Sequence, residues 1–173
     1  MIHTTVLDTP IGPLALLSQA GALVASGFTA DPGELHVRLH PSLRGHELVP
    51  ADEPGEIGAA HLAYFAGDLK ALDALPLHHP APPTRTRLWT ELRGVAPGET
   101  VTYAELAERA GLVRGARAAG QACAKNLIAP AIPCHRVVAG AGSGARRLNG
   151  YYYGLDRKAW LLAHENATVT ASR

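Results

Sequence analysis

Cys134 stands in the run Ile132-Pro133-Cys134-His135-Arg136-Val137, where a thiol, an imidazole and a guanidinium follow one another directly. A cysteine becomes a nucleophile when a neighbouring base or positive charge favours its thiolate. Pro133 fixes the backbone just before it, so a stiff segment holds the sulfur. Adjacent side chains on a strand point to opposite faces, so Cys134 and His135 work together only across a local bend or through a water. The imidazole then needs an orienting group. Glu165, Glu105 and Glu108 all qualify by type, and sequence alone does not choose among them. An inert buried cysteine beside a surface histidine would have the same local sequence. A Cys-His hydrolase would need an oxyanion framework that nothing in the chain resembles. A zinc site built from Cys123, Cys134 and a histidine is a weak reading, because the eleven-residue separation contains no Cys-x-x-Cys pair. No metal and no cofactor is expected.

The elements that must position this segment fall in two parts. Four prolines in residues 75–83 (Pro76, Pro80, Pro82 and Pro83) mark a linker, since proline removes donors and fixes φ. His78 and His79 are expected in that exposed linker. Domains are therefore expected at residues 1–80 and 84–166, with a polar, frayed tail at 167–173. The first domain reads as a small antiparallel sheet. Two strands flank the turn at Pro10 to Pro13, and a third lies near Ala22 to Phe28, with helix-compatible patterns at residues 33–40 and 57–67. The second domain reads as mainly helical. A helix covers residues 84–92, and Thr102-Tyr103-Ala104-Glu105 matches a capping box opening a helix that Gly111 stops. A further helix follows from Ala116 to about Lys125, giving a helix-turn-helix pattern. A last helix, residues 156–165, is expected to bury Trp160, Leu161 and Leu162. The fold class is thus α+β.

Bulk properties fit this division. The chain has 173 residues, 47% hydrophobic and 18% charged, with a net charge of +1. Residues 1–83 hold three basic and nine acidic residues, net −6, and residues 84–173 hold thirteen and six, net +7. The basic half suits phosphates and the acidic half suits support. No apolar stretch reaches the roughly 18 residues of a membrane helix. The N-terminal residues lack a signal-peptide pattern, and two cysteines make no disulfide framework. A reducing, cytoplasmic setting is expected, with a monomeric protein.

The run Pro133-Cys134-His135-Arg136-Val137-Val138 resembles the active-site motif of the O6-alkylguanine-DNA alkyltransferases. The resemblance extends in order through Leu88-Trp89, the run from Gly98 to Ala107, the run from Ala116 to Gly120, Asn126, Gly150-Tyr151, Gly154-Leu155, Lys158 and the run from Leu161 to Glu165. Thr9-Pro10-Ile11-Gly12-Pro13-Leu14 and Tyr64-Phe65-Ala66-Gly67 resemble weaker landmarks of the family's first domain.

The resemblance implies direct-reversal DNA repair, in which an alkyl group passes from guanine O6 to Cys134 in one displacement and stays there as a thioether. It implies that His135 takes the thiol proton through a water, that Glu165 orients His135, and that Asn126 braces the turn before the active segment. Tyr103 would protonate or hydrogen-bond the damaged base. Arg117 would fill the gap left when the nucleotide is flipped out of double-stranded DNA. The helix carrying Arg117 would enter the minor groove, where small residues let the backbone approach. The expected DNA contacts are Arg117, Thr84, Tyr103, Ala118, Gly120, Cys123 and Arg136. The substrate pocket would be formed by Tyr151, Tyr152 and Val138. Cys123 is expected as a small packing residue rather than a second acceptor. The alternative is an alkyltransferase-like damage-binding protein that flips and flags lesions without transfer.

Several positions depart from the family pattern. Leu127 replaces a proline, Pro130 falls in an expected strand before Cys134, Pro83 replaces a phenylalanine, and Ala96-Pro97-Gly98 replaces Pro-Tyr-Gly. The loop after Val138 is about three residues longer and contains Arg146-Arg147. Tyr152 and Tyr153 stand where small residues usually shape the pocket, so they either narrow it or point outward.

Overall fold

The computed structural model describes residues 1–140 and 146–170. The chain divides into two compact units, Met1–Ala81 with Leu127–Ala131, and Pro82–Asn126 with Ile132–Arg173.

In the first unit, β1 (Ile2–Thr9) and β2 (Gly12–Gln19) form a hairpin, and β3 (Ala22–Gly27) pairs antiparallel with β2. Short helices α1 (Pro32–His36) and α2 (Pro41–Arg44) lead to β4 (Leu48–Pro50), and α3 (Gly55–Phe65) follows. The sheet order is β3-β2-β1-β4. The expectation of a purely antiparallel sheet is corrected at one edge, because β4 runs parallel to β1, with Ile2 opposite Leu48. Three residues are too few to leave a periodic signal in the sequence. The core gathers Ile2, Leu17, Val24, Leu35, Leu39 and Leu43, joined by Leu127.

Two expectations change in this unit. The proline-rich stretch is not a free linker: Leu23 N donates to Pro76 O at 2.9 Å, and His78 N donates to Leu23 O at 2.9 Å. Proline loses only its donor, so the Pro76 carbonyl still accepts beside β3. Nor does Pro130 interrupt a strand. Leu127 to Ala129 bridge to β3, where Ser26 N donates to Leu127 O and Ala129 N to Ser26 O, and Pro130 lies in the turn that follows.

The second unit holds α4 (Pro83–Arg93), β5 (Val101–Thr102), α5 (Tyr103–Arg109), α6 (Ala116–Ala124), a 3₁₀ turn (Cys134–Arg136), β6 (Val137–Gly140), β7 (Arg146–Arg147) and α7 (Leu155–His164). Thr102 closes the expected capping box. Its Oγ1 accepts from Glu105 N at 3.2 Å, while Thr102 N donates to Glu105 Oε2 at 2.7 Å. Gly111, at φ +71°, takes the left-handed turn that ends α5. Trp89 Nε1 donates to Ala122 O at 2.9 Å and ties α4 to α6. A small sheet, β5-β6-β7, sets Val101 beside Val137 and Thr102 beside Val138.

On α7, Leu161 and Leu162 are buried as expected, but Trp160 is half-buried and stacks on His164 with centroids 4.8 Å apart. Lys158 takes the buried place instead. The tail expectation is also modified. Thr170 N donates to Arg146 O at 3.1 Å and Leu148 N to Thr170 O at 3.0 Å, so residue 170 is held. Residues 171–173 and the loop residues 141–145 lie outside the described residues. Among the described residues no helix is long and apolar enough to cross a membrane.

Candidate active site

Cys134 opens the 3₁₀ turn rather than lying on a strand, with Cys134 N bonded to Ile132 O at 2.9 Å and Arg136 N to Pro133 O at 2.9 Å. Successive residues of such a turn are about 120° apart, so neighbouring side chains no longer face opposite ways. Cys134 is half-buried, while His135 and Arg136 are turned into the interior.

His135 Nε2 lies 2.8 Å from Glu165 Oε1, both side chains fully buried. A carboxylate only accepts, so Nε2 carries the proton and Nδ1 has a free lone pair. That Nδ1 is buried and makes no hydrogen bond among the described residues. Arg136 grips the same carboxylate at two points, Nε to Oε2 at 3.0 Å and Nη2 to Oε1 at 2.9 Å, and its Nη1 donates to Val95 O. Burial pushes the Glu165 carboxyl upward, but His135 and Arg136 outweigh it and hold its pKa well below the usual range. Burial lowers the His135 pKa against the pull of Glu165, so its imidazole is neutral at neutral pH. Gly98 fits against this carboxylate residue: a Cβ there would lie 2.9 Å from Glu165 O, and φ is +86°. The three candidate orienters are now separated. Glu108 is exposed, and Glu105 caps α5 and pairs with Arg146 at 2.7 and 2.9 Å.

Asn126 is buried and spans the segment's two ends, its Nδ2 donating to Ile132 O at 2.8 Å and to Cys134 Sγ at 3.2 Å. Burial raises the Cys134 pKa, while the Asn126 bond and the Lys158 charge pull it down. The resting group is therefore a thiol with one donor already aimed at the sulfur.

The sulfur faces a cavity of about 250 Å³ lined by Tyr103, Gly120, Cys123, Ala124, Cys134, Gly150, Tyr151 and Tyr152. That is near the lower limit of small-molecule sites, roughly 300–1,000 Å³. Tyr152 is 67% exposed at this cavity. Its ring meets Tyr153 edge-on at 4.9 Å, and Tyr153 meets Tyr151 at 5.8 Å. Of the two departures, Tyr152 thus forms wall and Tyr153 backs it. Tyr103 Oη accepts from Asn149 Nδ2 at 2.9 Å, and burial raises the Tyr103 pKa, which keeps the phenol protonated.

Residues 83–167 match the family described as 6-O-methylguanine DNA methyltransferase, DNA binding domain. The methylated-DNA–protein-cysteine methyltransferase of Mycolicibacterium paratuberculosis is 37% identical over 177 residues, covering 99% of this chain and 97% of that one. The enzyme of the same name from Shigella flexneri is 34% identical over 162 residues, 92% of each chain. This chain belongs to the methylated-DNA–protein-cysteine methyltransferase family. A crystal structure of Mycobacterium tuberculosis OGT in complex with DNA superposes with a TM-score of 0.73 at 32% identity, over 95% of this chain and 92% of that one.

Against the methyltransferase pattern, two assignments need correction. Arg136 is not a DNA-facing cation, because it is 5% exposed and bonded to Glu165 and Val95. Val138 is fully buried in β6 and is not among the residues lining the cavity. Cys123 lines the cavity with Cys134, and burial raises its pKa and keeps it a thiol. Thr84 and Arg117 are exposed, on the first turns of α4 and α6, Ala118 is half-buried and Gly120 lines the cavity. Among the described residues no three His, Cys, Asp or Glu side chains gather as a metal site would require.

Two site residues had no role assigned from sequence. Lys158 is fully buried, and the three hydrogens of its Nζ are shared among four acceptors, Val137 O at 2.6 Å, Asn149 O at 2.8 Å, Asn149 Oδ1 at 3.1 Å and Gly150 O at 3.2 Å. Its signal was available, for a lysine three residues before Leu161 and four before Leu162 sits on the apolar stripe of α7. Asn149 left no signal.

Proposed function

We propose that this protein repairs O6-alkylguanine in double-stranded DNA by taking the alkyl group onto Cys134. The observation that carries the reading is the Cys134 sulfur facing the 250 Å³ cavity, with Asn126 bonded to it and the buried His135–Glu165 pair on the same turn. The thiol proton passes through a water to His135 Nδ1, whose lone pair is fixed by the Nε2–Glu165 bond. Ionised Glu165 stabilises the imidazolium that results. The thiolate attacks the alkyl carbon, forming S–C as C–O6 breaks, and the bond electrons return to the purine. Tyr103 donates its hydroxyl proton or a hydrogen bond to the base, which neutralises the developing charge. The product is a thioether, so each molecule acts once, and the alkylated base itself supplies the only electrophile, so no cofactor is needed.

The target base sits against its partner in the duplex and must leave the stack to reach the cavity. Arg117, exposed on α6, would fill the gap. Ala118 and Gly120 on the same helix let its backbone approach a minor groove, with Thr84 on α4 as a further contact. The protein works as a monomer in a reducing cytoplasmic setting, in which Cys123 and Cys134 stay free thiols. The retained cysteine and relatives named for methyl transfer support this reading over damage flagging. The test is stoichiometry: lesion loss from excess O6-methylguanine duplex should plateau at one equivalent per protein. Continued turnover, or binding without lesion loss, contradicts it.

A further inference from the structure

Lys158, Asn149 and Tyr103 form a chain of hydrogen bonds whose direction is fixed from one end. An ammonium has donors only, so the amide atom 3.1 Å from Lys158 Nζ must be the accepting Oδ1. The other amide atom, 2.9 Å from Tyr103 Oη, is then Nδ2 and donates. The Asn149 backbone carbonyl also accepts from Lys158 at 2.8 Å, which holds the residue at two points. A phenolic oxygen that accepts from Asn149 keeps its own hydrogen for another partner. Tyr103 lines the cavity beside Cys134, so that hydrogen is available to a ligand there.

We propose that Asn149 is a positioning residue that, anchored by Lys158, forces Tyr103 to act as a hydrogen-bond donor toward the base in the cavity. This rests on the transfer reaction proposed above and assigns it a polarity. Guanine ring nitrogens carry acceptor lone pairs and gain charge as C–O6 breaks, so only a donating hydroxyl assists departure. If Asn149 merely braced the loop, direction would not matter.

Asn149→Asp and Asn149→Leu separate the two roles. Aspartate keeps the shape, and its carboxylate pairs well with Lys158, but it draws the Tyr103 hydroxyl hydrogen to itself. Leucine removes the donor and leaves the hydroxyl hydrogen free. Methyl transfer to Cys134 is followed as a single-turnover rate at saturating O6-methylguanine duplex, with DNA affinity measured separately. The relay predicts that Asn149→Asp is the slower variant, by about tenfold or more against wild type, with DNA affinity little changed. In a Tyr103→Phe background the Asn149→Asp loss disappears. Asn149→Asp transferring as fast as wild type, or losing the same factor when the tyrosine hydroxyl is absent, overturns the relay. Should Asn149→Leu not fold, the Asn149→Asp comparison with and without that hydroxyl still decides. A wild-type protein that transfers nothing contradicts the repair reading itself, a different outcome.

Discussion

Arg136 and Glu165 meet as a buried two-point ion pair, Nε to Oε2 at 3.0 Å and Nη2 to Oε1 at 2.9 Å, with exposures of 5% and 2%. The arginine following the Cys-His pair therefore serves the carboxylate behind His135.

Arg136→Ala strips the two arginine bonds from a buried carboxylate. Breaking such a pair costs about 3–5 kcal/mol, so the melting temperature should drop sharply. The variant that remains folded should show the wild-type salt dependence of duplex binding, because Arg136 touches no phosphate. A slope lower by about one ion would place Arg136 on DNA instead.

His61 ties the first unit's stability to pH. It is fully buried, its Nδ1 bonded to Ile57 O at 2.8 Å, while Nε2 is buried with no hydrogen-bond partner among the described residues. Burial lowers its pKa from 6.5 to about 4, against the Ile57 carbonyl. In the unfolded chain it takes a proton near pH 6.5, which the folded state refuses. Stability is thus complete above that pH, falls as pH drops toward about 4, and levels off below, a loss of about 3 kcal/mol. His135 shifts in the same direction, so the His61 share is read by difference. Urea midpoints of His61→Leu should fall less between neutral pH and pH near about 4.5 than those of wild type. Equal slopes contradict the assignment.

Tyr152 should set the size of group that reaches Cys134. It is mostly exposed at the cavity, so Tyr152→Ser should change stability by no more than about 0.5 kcal/mol. Transfer of a bulky O6-benzyl group should speed up relative to methyl. An unchanged benzyl-to-methyl ratio would show that the ring points away from the substrate.

Arg117 is exposed on α6 and lines no part of the cavity. Arg117→Ala should slow transfer from duplex DNA far more than reaction with a free O6-alkylguanine base, which needs no flipping. Equal losses on both would remove the arginine from that role.

The sequence carried the pieces with strong local physics. The capping box at Thr102 and Glu105 and the turn at Gly111 each act within a few residues, and each is where spacing put it, while α7 buries Leu161 and Leu162 as expected but Lys158 rather than Trp160. The fold class and the family were legible for the same reason, since Cys134 and its landmarks are short runs that follow in a fixed order. What failed depended on distant partners. Arg136 looks like a free cation until Glu165, 29 residues later, folds onto it. Asn149 is an unremarked polar residue until Lys158 and Tyr103 close around it. The proline stretch reads as linker because pairing through carbonyls alone leaves no trace in composition.

The central claim is that Cys134 itself accepts the alkyl group. Wild-type protein is incubated with O6-methylguanine duplex, then digested and mapped by mass. The account predicts one added methylene on the peptide containing Cys134, none on that containing Cys123, and no gain anywhere in Cys134→Ser. Tight DNA binding with an unmodified Cys134 peptide, or methylation that persists in Cys134→Ser, would contradict it.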